Sequence, residues 1–188
     1  MKYQKISRCR LCNSNKIKQI IDFGRICSSS TFPYKNLKYN KITPMIFGIC
    51  NNCKLAQLLH NYNLKELYND EYGYRSGINQ AMVKHLTGIT KDIKKIVKFK
   101  KGDYVLDIAS NDATLLKSYK LSGINCVGID PIVSRFKNFY PKNFKTKSVL
   151  FSKHQYLNLS KEKKAKAITS IAVFYDVVNP NSFISDVK

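Results

Sequence analysis

The chain has 188 residues and 44% hydrophobic content, enough for one domain, or a domain with an appendage, and enough to bury a core. No apolar run approaches the ~20 residues that span a bilayer, and the basic start Met1-Lys-Tyr-Gln-Lys-Ile lacks the apolar centre of a signal peptide, so a cytoplasmic protein with no membrane partner is expected. The formal charge of +21 raises nucleic acid as a partner, but only five of the 33 basic residues are Arg and the Lys residues are spread along the whole chain; that describes solvated Lys faces, whose diffuse field would draw a phosphorylated substrate, rather than a nucleic-acid patch.

Residues 1–60 are expected to form a zinc-binding module. Cys9-Arg-Leu-Cys12 and Cys50-Asn-Asn-Cys53 share one spacing, and each lies beside a short β-like run, Lys18–Asp22 and Met45–Ile49. Each turn offers two thiolates to one ion, and two turns complete the tetrahedral four-sulfur site of structural zinc. Without a signal peptide, cysteine pairs of this spacing favour metal over disulfides; two separate redox or buried thiol pairs are the alternative. With Cys9, Cys12, Cys50 and Cys53 all ligating, no coordination position stays open, so the ion's role is structural. The 37 residues between the pairs imply a protruding loop from Gly24 to Pro44 that holds Ser28-Ser-Ser30 and two prolines. Cys126 reads as a core residue in a strand and Cys27 as a loop thiol.

Residues 61–100 read as a helical linker on the substrate side. Leu64–Tyr68 fits a short helix. Asp70-Glu-Tyr-Gly-Tyr-Arg-Ser-Gly77 clusters residue types common in binding loops; a surface turn with packed tyrosines is the plainer reading. Over residues 78–98, Ile78, Met82, Leu86, Ile89, Ile93 and Ile96 or Val97 recur at helical steps. Asn79 or Ser76 can cap that helix, and Lys91, Lys94, Lys95 and Lys98 suit its C-terminal end. His85 lies near the apolar stripe, where a histidine is packed, solvent-facing or within reach of a ligand.

From Tyr104 the pattern is β-α-β-α-β-α-β. The strands are expected at Tyr104–Ile108, Asn125–Ile129, Phe144–Phe151 and Ala167–Phe174. The helices are expected from Asp112 to Ser122, from Pro131 to Phe136 and from Tyr156 to Lys164, with another beginning at Pro180. Such alternation argues for a parallel sheet with crossover helices, a doubly wound α/β fold. Strand Tyr104–Ile108 breaks at the small residues Ala109–Asn111 before a helix, the nucleotide-binding corner of such folds. Asp130, 23 residues after Asp107, ends the second strand, where an acid suits ribose hydroxyls. The corner has no Gly-x-Gly-x-x-Gly, as a dinucleotide would require, and no P-loop. A cofactor without a pyrophosphate fits better, and S-adenosylmethionine is expected, with Asp107 reaching its amino acid moiety and Asp130 its ribose.

Asp107-Ile-Ala-Ser-Asn-Asp-Ala-Thr-Leu-Leu116 resembles the Asp-Ile-Gly-Ser-Asn-Asp-Gly-Thr-Leu-Leu motif of class I S-adenosylmethionine-dependent sugar C-methyltransferases. The Cys9/Cys12 and Cys50/Cys53 pairs, Tyr72-Gly-Tyr-Arg-Ser76, His85, Asp130-Pro131 and Ile171-Ala-Val-Phe-Tyr-Asp176 are similar to further features of that family, in the same order. The resemblance implies methyl transfer to a carbon of a nucleotide-linked keto-deoxysugar through an enolate, with a tyrosine of the Tyr72–Ser76 segment near the chemistry. It also implies an N-terminal zinc module, a linking helix and, over residues 101–188, a truncated Rossmann-like domain of four strands. The family's remaining strands and late Glu-His pair have no counterpart here, so the expectation is a fragment, a split gene product or a truncated reading frame with little or no activity alone, and a second polypeptide as a completing partner.

The candidate site residues are then Cys9, Cys12, Cys50 and Cys53 for zinc; Asp107, Ala109, Ser110, Asn111, Asp130 and Phe151 for the cofactor; and Tyr72, Tyr74 and His85 for catalysis. Two motif glycines are replaced. Ala109 is acceptable if its φ stays negative, and Ala113 is expected in the helix's first turn, where it either crowds the cofactor or improves helix propensity. The alternatives are a zinc-containing nucleic-acid-binding or RNA-modifying protein, and a non-catalytic methyltransferase remnant.

Overall fold

The computed structural model describes residues 2–27, 42–69 and 71–188. It divides into two compact units: the described residues up to Gly73 together with Tyr175–Asp186, and Tyr74–Phe174. The division falls inside the expected 61–100 linker, and the C-terminal helix joins the first unit instead of continuing the 101–188 segment.

The first unit is built on a three-stranded antiparallel sheet. Strands β2 (Ile17–Cys27) and β3 (Ile42–Cys50) pair along their length, from Ile17 opposite Cys50 to Cys27 opposite Ile42. Strand β4 (Ala56–Leu58) adds to β3 only over Phe47–Ile49. Pro44 therefore sits where β3 has a neighbour on one side only, the place a strand tolerates proline. Strand β1 (Tyr3–Lys5) pairs separately with β5 (His60–Tyr62). Both long strands extend beyond the expected runs, so Gly24 and Pro44 belong to strands and not to a loop; Ser28-Ser-Ser30 lies outside the described residues. Helix α1 (Leu64–Leu67) follows, capped by Asn63. Tyr68, just after it, donates its hydroxyl to Asp176 Oδ2 at 2.7 Å.

The second unit begins at Tyr74 and leads into helix α2 (Gln80–Ile96), whose N-cap is Asn79: its side chain accepts from the Ala81 and Met82 N–H groups. Leu86 and Thr90 are buried on its inner face, whereas Ile78 and Ile96 are exposed. The parallel sheet comprises β6 (Tyr104–Ile108), β7 (Asn125–Ile129), β8 (Lys145–Lys147) and β9 (Ala167–Ser170), in the order β8-β7-β6-β9. β6 is central and wholly buried, as a run that is apolar but for Asp107 should be at the middle of a parallel sheet. The chain grows from β6 outward through β7 and β8, then returns to β6's other edge as β9. A ligand crevice is expected beyond the carboxyl ends of the strands at such a reversal.

Helix α3 (Thr114–Ser118) packs on α2, where the buried Thr90 and Ser118 hydroxyls are 2.8 Å apart. It ends before the expected Ser122 because Tyr119 N–H closes on Leu116 O and Lys120 takes a left-handed φ of 48°. β8 stops at Lys147, short of Phe151, where Ser148 Oγ turns to donate to Pro131 O at 2.6 Å. β9 stops at Ser170, short of Phe174, because Ala172 has a φ of 57°. Helix α4 spans Val133–Phe136. Helix α5 (Lys153–Ser160) starts earlier than expected, capped by Ser152, and is ended by left-handed Lys161. Helix α6 (Pro180–Val187) belongs to the first unit, where Asn181 Nδ2 donates to Leu11 O at 2.8 Å. Among the described residues, no helix is long and apolar enough to cross a membrane.

Candidate functional site

The two Cys-x-x-Cys turns have the same backbone construction. Cys9 O accepts from Asn13 N and Cys9 N donates to Ser14 O; Cys50 O accepts from Lys54 N and Cys50 N donates to Leu55 O. The residue after each second cysteine is left-handed, Asn13 at φ 59° and Lys54 at φ 65°. Each turn so made directs two thiols to one point. The Cys9 and Cys53 sulfurs lie 3.5 Å apart and those of Cys12 and Cys50 3.6 Å apart, and all four fall within 4.8 Å of one another. A tetrahedron with bonds of ~2.3 Å has edges of roughly 3.8 Å, whereas a disulfide would bring two sulfurs to ~2.05 Å. The donor set and its spacing therefore fit zinc.

Electrostatics support a cation at this point. The Asn52 amide and the Ser14 N–H favour the Cys12 thiolate, lowering its pKa to about 6. At Cys53 the Leu55 N–H also favours ionisation, but desolvation and three neighbouring thiols outweigh it and raise its pKa to about 12. Four thiolates this close cannot all ionise unless a cation compensates them.

Arg10, inside the first turn, is a structural residue that the cysteine spacing does not mark. Its guanidinium donates to Leu58 O at 2.6 Å, His60 O at 2.7 Å and Asn61 Oδ1 at 2.8 Å, and its N–H donates to Gln57 Oε1. It thereby ties the first cysteine turn to β4 and β5. Nothing in Cys-Arg-Leu-Cys announces this, because the acceptors lie about fifty residues away.

In the second unit, loop Ala109–Ala113 leaves the carboxyl end of β6. Ala109, Asn111 and Ala113 all have left-handed φ, at 57°, 48° and 62°. Ala109 thus does not keep a negative φ, and Ala113 is the N-cap of α3 instead of a first-turn residue, so its methyl group does not improve helix propensity. Both alanines occupy backbone that favours glycine. The glycines are found instead on the segments packed against the loop. A Cβ on Gly128 would come within 2.6 Å of Ser110 Oγ, and one on Gly77 within 2.5 Å of Asp112 Oδ2.

Asn111 anchors this loop. Its N–H donates to Asp130 Oδ2 at 2.9 Å and its carbonyl accepts from the Tyr140 hydroxyl at 2.7 Å. Its side chain accepts from Ser76 N at 2.9 Å and donates to Tyr74 O at 3.1 Å. Ser110 Oγ is hydrogen-bonded to the buried Tyr140 hydroxyl at 2.8 Å. Asp112 is buried and accepts from Gly77 N, Thr114 N and Thr114 Oγ1, with Arg75 Nε 3.6 Å away. Among the described residues, the N–H groups of Ser110 and Asp112 meet no protein acceptor.

Asp107 is buried near the end of β6, where Oδ1 accepts from the Thr169 hydroxyl at 2.7 Å; desolvation raises its pKa to about 7 despite that bond. Asp130 is buried just past β7, with its pKa also raised by desolvation, and its other oxygen accepts from Ile132 N at 2.9 Å. The structure thus groups Asp107, Ala109, Ser110, Asn111 and Asp130 around one corner, and adds Asp112 and Tyr140. Tyr140 could not be singled out from the sequence because it acts from a separate turn. Tyr74 is exposed in the second unit, and Tyr72 belongs to the first, its ring 5.4 Å from Tyr68. His85 is exposed in a shallow depression formed by its own helix. Phe151 is half-buried between β8 and α5.

Residues 9–68 match the family model Methyltransf_13, described as "Putative zinc binding domain". The match runs from the first cysteine of the cluster through β5 and α1. No curated protein matches the chain. The four-cysteine cluster therefore lies within a zinc-binding domain of the kind associated with methyltransferases.

Proposed function

We propose that this chain is the zinc-bearing, cofactor-binding part of an S-adenosylmethionine-dependent methyltransferase acting on a carbon of a nucleotide-linked keto-deoxysugar. The supporting observation is a corner of loop and carboxylates beside the strand reversal of a parallel sheet, on the same chain as a methyltransferase-associated zinc domain. The sugar assignment rests on the resemblance of the Asp107–Leu116 and Tyr72–Ser76 motifs.

The fit of the corner to the cofactor is chemical. The unengaged N–H groups of Ser110 and Asp112 suit a carboxylate, because alternating left-handed residues make a nest for anions. Each oxygen of Asp130 accepts one backbone N–H and keeps acceptor capacity for a ribose hydroxyl. Asp107, raised to about 7, supports the corner without a full negative charge near neutral pH. S-adenosylmethionine would supply an electrophilic methyl group there, with the acceptor being a carbon made nucleophilic by loss of its proton beside a carbonyl. Cys9, Cys12, Cys50 and Cys53 would hold zinc as a structural ion. Tyr74, exposed and with its carbonyl accepting from Asn111, would be the tyrosine that reaches substrate from this unit.

Calorimetry with S-adenosylhomocysteine tests the cofactor, and incubation of an S-adenosylmethionine-loaded sample with a nucleotide-linked 4-keto-deoxysugar tests the acceptor. Saturable binding at one site is expected; absence of binding to the zinc-loaded protein contradicts the reading.

A further inference from the structure

Every polar group of Asn111 is engaged, and the partners come from three separate segments. Asp130 follows β7, Tyr140 lies beyond α4, and Tyr74 and Ser76 precede α2. The two side-chain bonds, at 2.9 and 3.1 Å, let the amide pair with residues 74 and 76 as a neighbouring strand would. The next loop residue repeats the contact, with Asp112 Oδ2 accepting from Gly77 N at 3.0 Å. Gly77 is required for that approach, since a Cβ there would also lie 2.9 Å from Thr114 Oγ1. Arg75 completes the strap: its guanidinium carbon sits 4.1 Å from the centre of the Phe139 ring, with Nε facing Asp112.

We propose that Asn111 is a positioning residue: it clamps segment Tyr74–Gly77 onto loop Ala109–Ala113, so that strap and loop order as one unit. Its side-chain oxygen and nitrogen each turn to the strap, and one N–H and one lone pair remain beyond those two bonds. Its main chain is held on both sides, by Asp130 at the N–H and by Tyr140 at the carbonyl. The flanking N–H groups of Ser110 and Asp112 are therefore presented on a loop fixed before any ligand arrives. Fixing the donors in advance removes an ordering cost from binding. The consequence for ligands depends on the cofactor reading: the clamp shapes the end of the site that takes the amino acid moiety, not the adenosine end.

Asn111→Gly is the direct test, because glycine accepts the left-handed backbone while the side-chain bonds are removed. Gly77→Ala is the second variant; it pushes the strap away from its own side and leaves Asn111 intact. Amide hydrogen exchange on the zinc-loaded chain without ligand is expected to quicken about tenfold over residues 74–78 in both variants, with β6 and β7 unchanged. Wild-type exchange rates over residues 74–78 in Asn111→Gly overturn the clamp, and if that variant does not fold, the same result in Gly77→Ala does so. In calorimetry, Asn111→Gly is expected to weaken S-adenosylhomocysteine about tenfold and to leave 5′-methylthioadenosine, which lacks the amino acid, unchanged. Equal affinity of wild type and Asn111→Gly for S-adenosylhomocysteine overturns the positioning role and leaves the cofactor reading standing. Failure of the wild type to bind overturns the cofactor reading, and the exchange result still decides the clamp.

Discussion

Asp130 Oδ2 accepts the Asn111 N–H at 2.9 Å, so the carboxylate beyond β7 fixes the loop that follows β6. The acid expected to serve only a ribose is also part of the scaffold. This second use explains how a loop with three left-handed residues and no glycine is held in one conformation.

The two alanines in that loop should carry measurable strain. A left-handed alanine costs about 1–2 kcal/mol, and glycine returns roughly 0.4–1 kcal/mol of that through its looser unfolded state. Ala109→Gly and Ala113→Gly are each expected to stabilise the protein by about 0.5–1 kcal/mol, raising the melting temperature by roughly 1–4 °C. Thermal unfolding followed by circular dichroism measures this. A lower melting temperature for both variants would show that the methyl groups contribute packing that outweighs the strain.

Zinc should be stoichiometric and structural. One zinc per chain is expected by elemental analysis, and replacing the fully buried Cys50 with Ser should abolish it. Structural zinc contributes on the order of 10 kcal/mol in small domains, so chelation should unfold the sheet of β2, β3 and β4. A chelated sample with an unchanged melting profile would contradict a structural role.

Arg10 should be irreplaceable by lysine. It donates in a planar fork to two carbonyls and the Asn61 side chain, a pattern an ammonium cannot reproduce. Arg10→Ala is expected to cost about 2–3 kcal/mol, because the carbonyls of the β4–β5 region lose their donors. Arg10→Lys should recover less than half of that loss in denaturant unfolding. Full recovery would mean that charge alone matters there.

Asp107 predicts a pH dependence with a definite sign. Its pKa in the folded protein is raised to about 7 from an ordinary 3.8, so between those values the folded state holds a proton that the unfolded state releases. Stability from this residue is therefore greatest below about pH 4 and is lost as pH rises towards 7, at roughly 1.4 kcal/mol per pH unit. Asp107→Asn keeps an acceptor for Thr169 and should remove this slope. Asp130 and Asp176, also raised by desolvation, keep their own contributions, so the difference between wild type and variant is the quantity to read. Parallel stability–pH curves would contradict the buried, proton-holding state.

Much of this was visible in the chain because it depends on neighbours in sequence. The span of β6 followed from its largely apolar run, and helix α2 from an amphipathic stripe behind two candidate caps, Asn79 and Ser76, of which Asn79 is the one used. The cysteine cluster followed from two turns of equal spacing. What was hidden depends on distant partners or on single backbone angles. β9 ends early because Ala172 turns left-handed, and an alanine gives no warning of that. Tyr140, Arg10 and Gly77 act through contacts with remote segments, and the partners of Asn111 in the strap cannot be inferred from spacing.

The most direct test of the central claim is isothermal titration of the zinc-loaded chain with S-adenosylhomocysteine. Binding at a single site, weakened by Asp130→Ala, is expected. No heat and no thermal shift at millimolar ligand would contradict the assignment of this corner to the methyl donor.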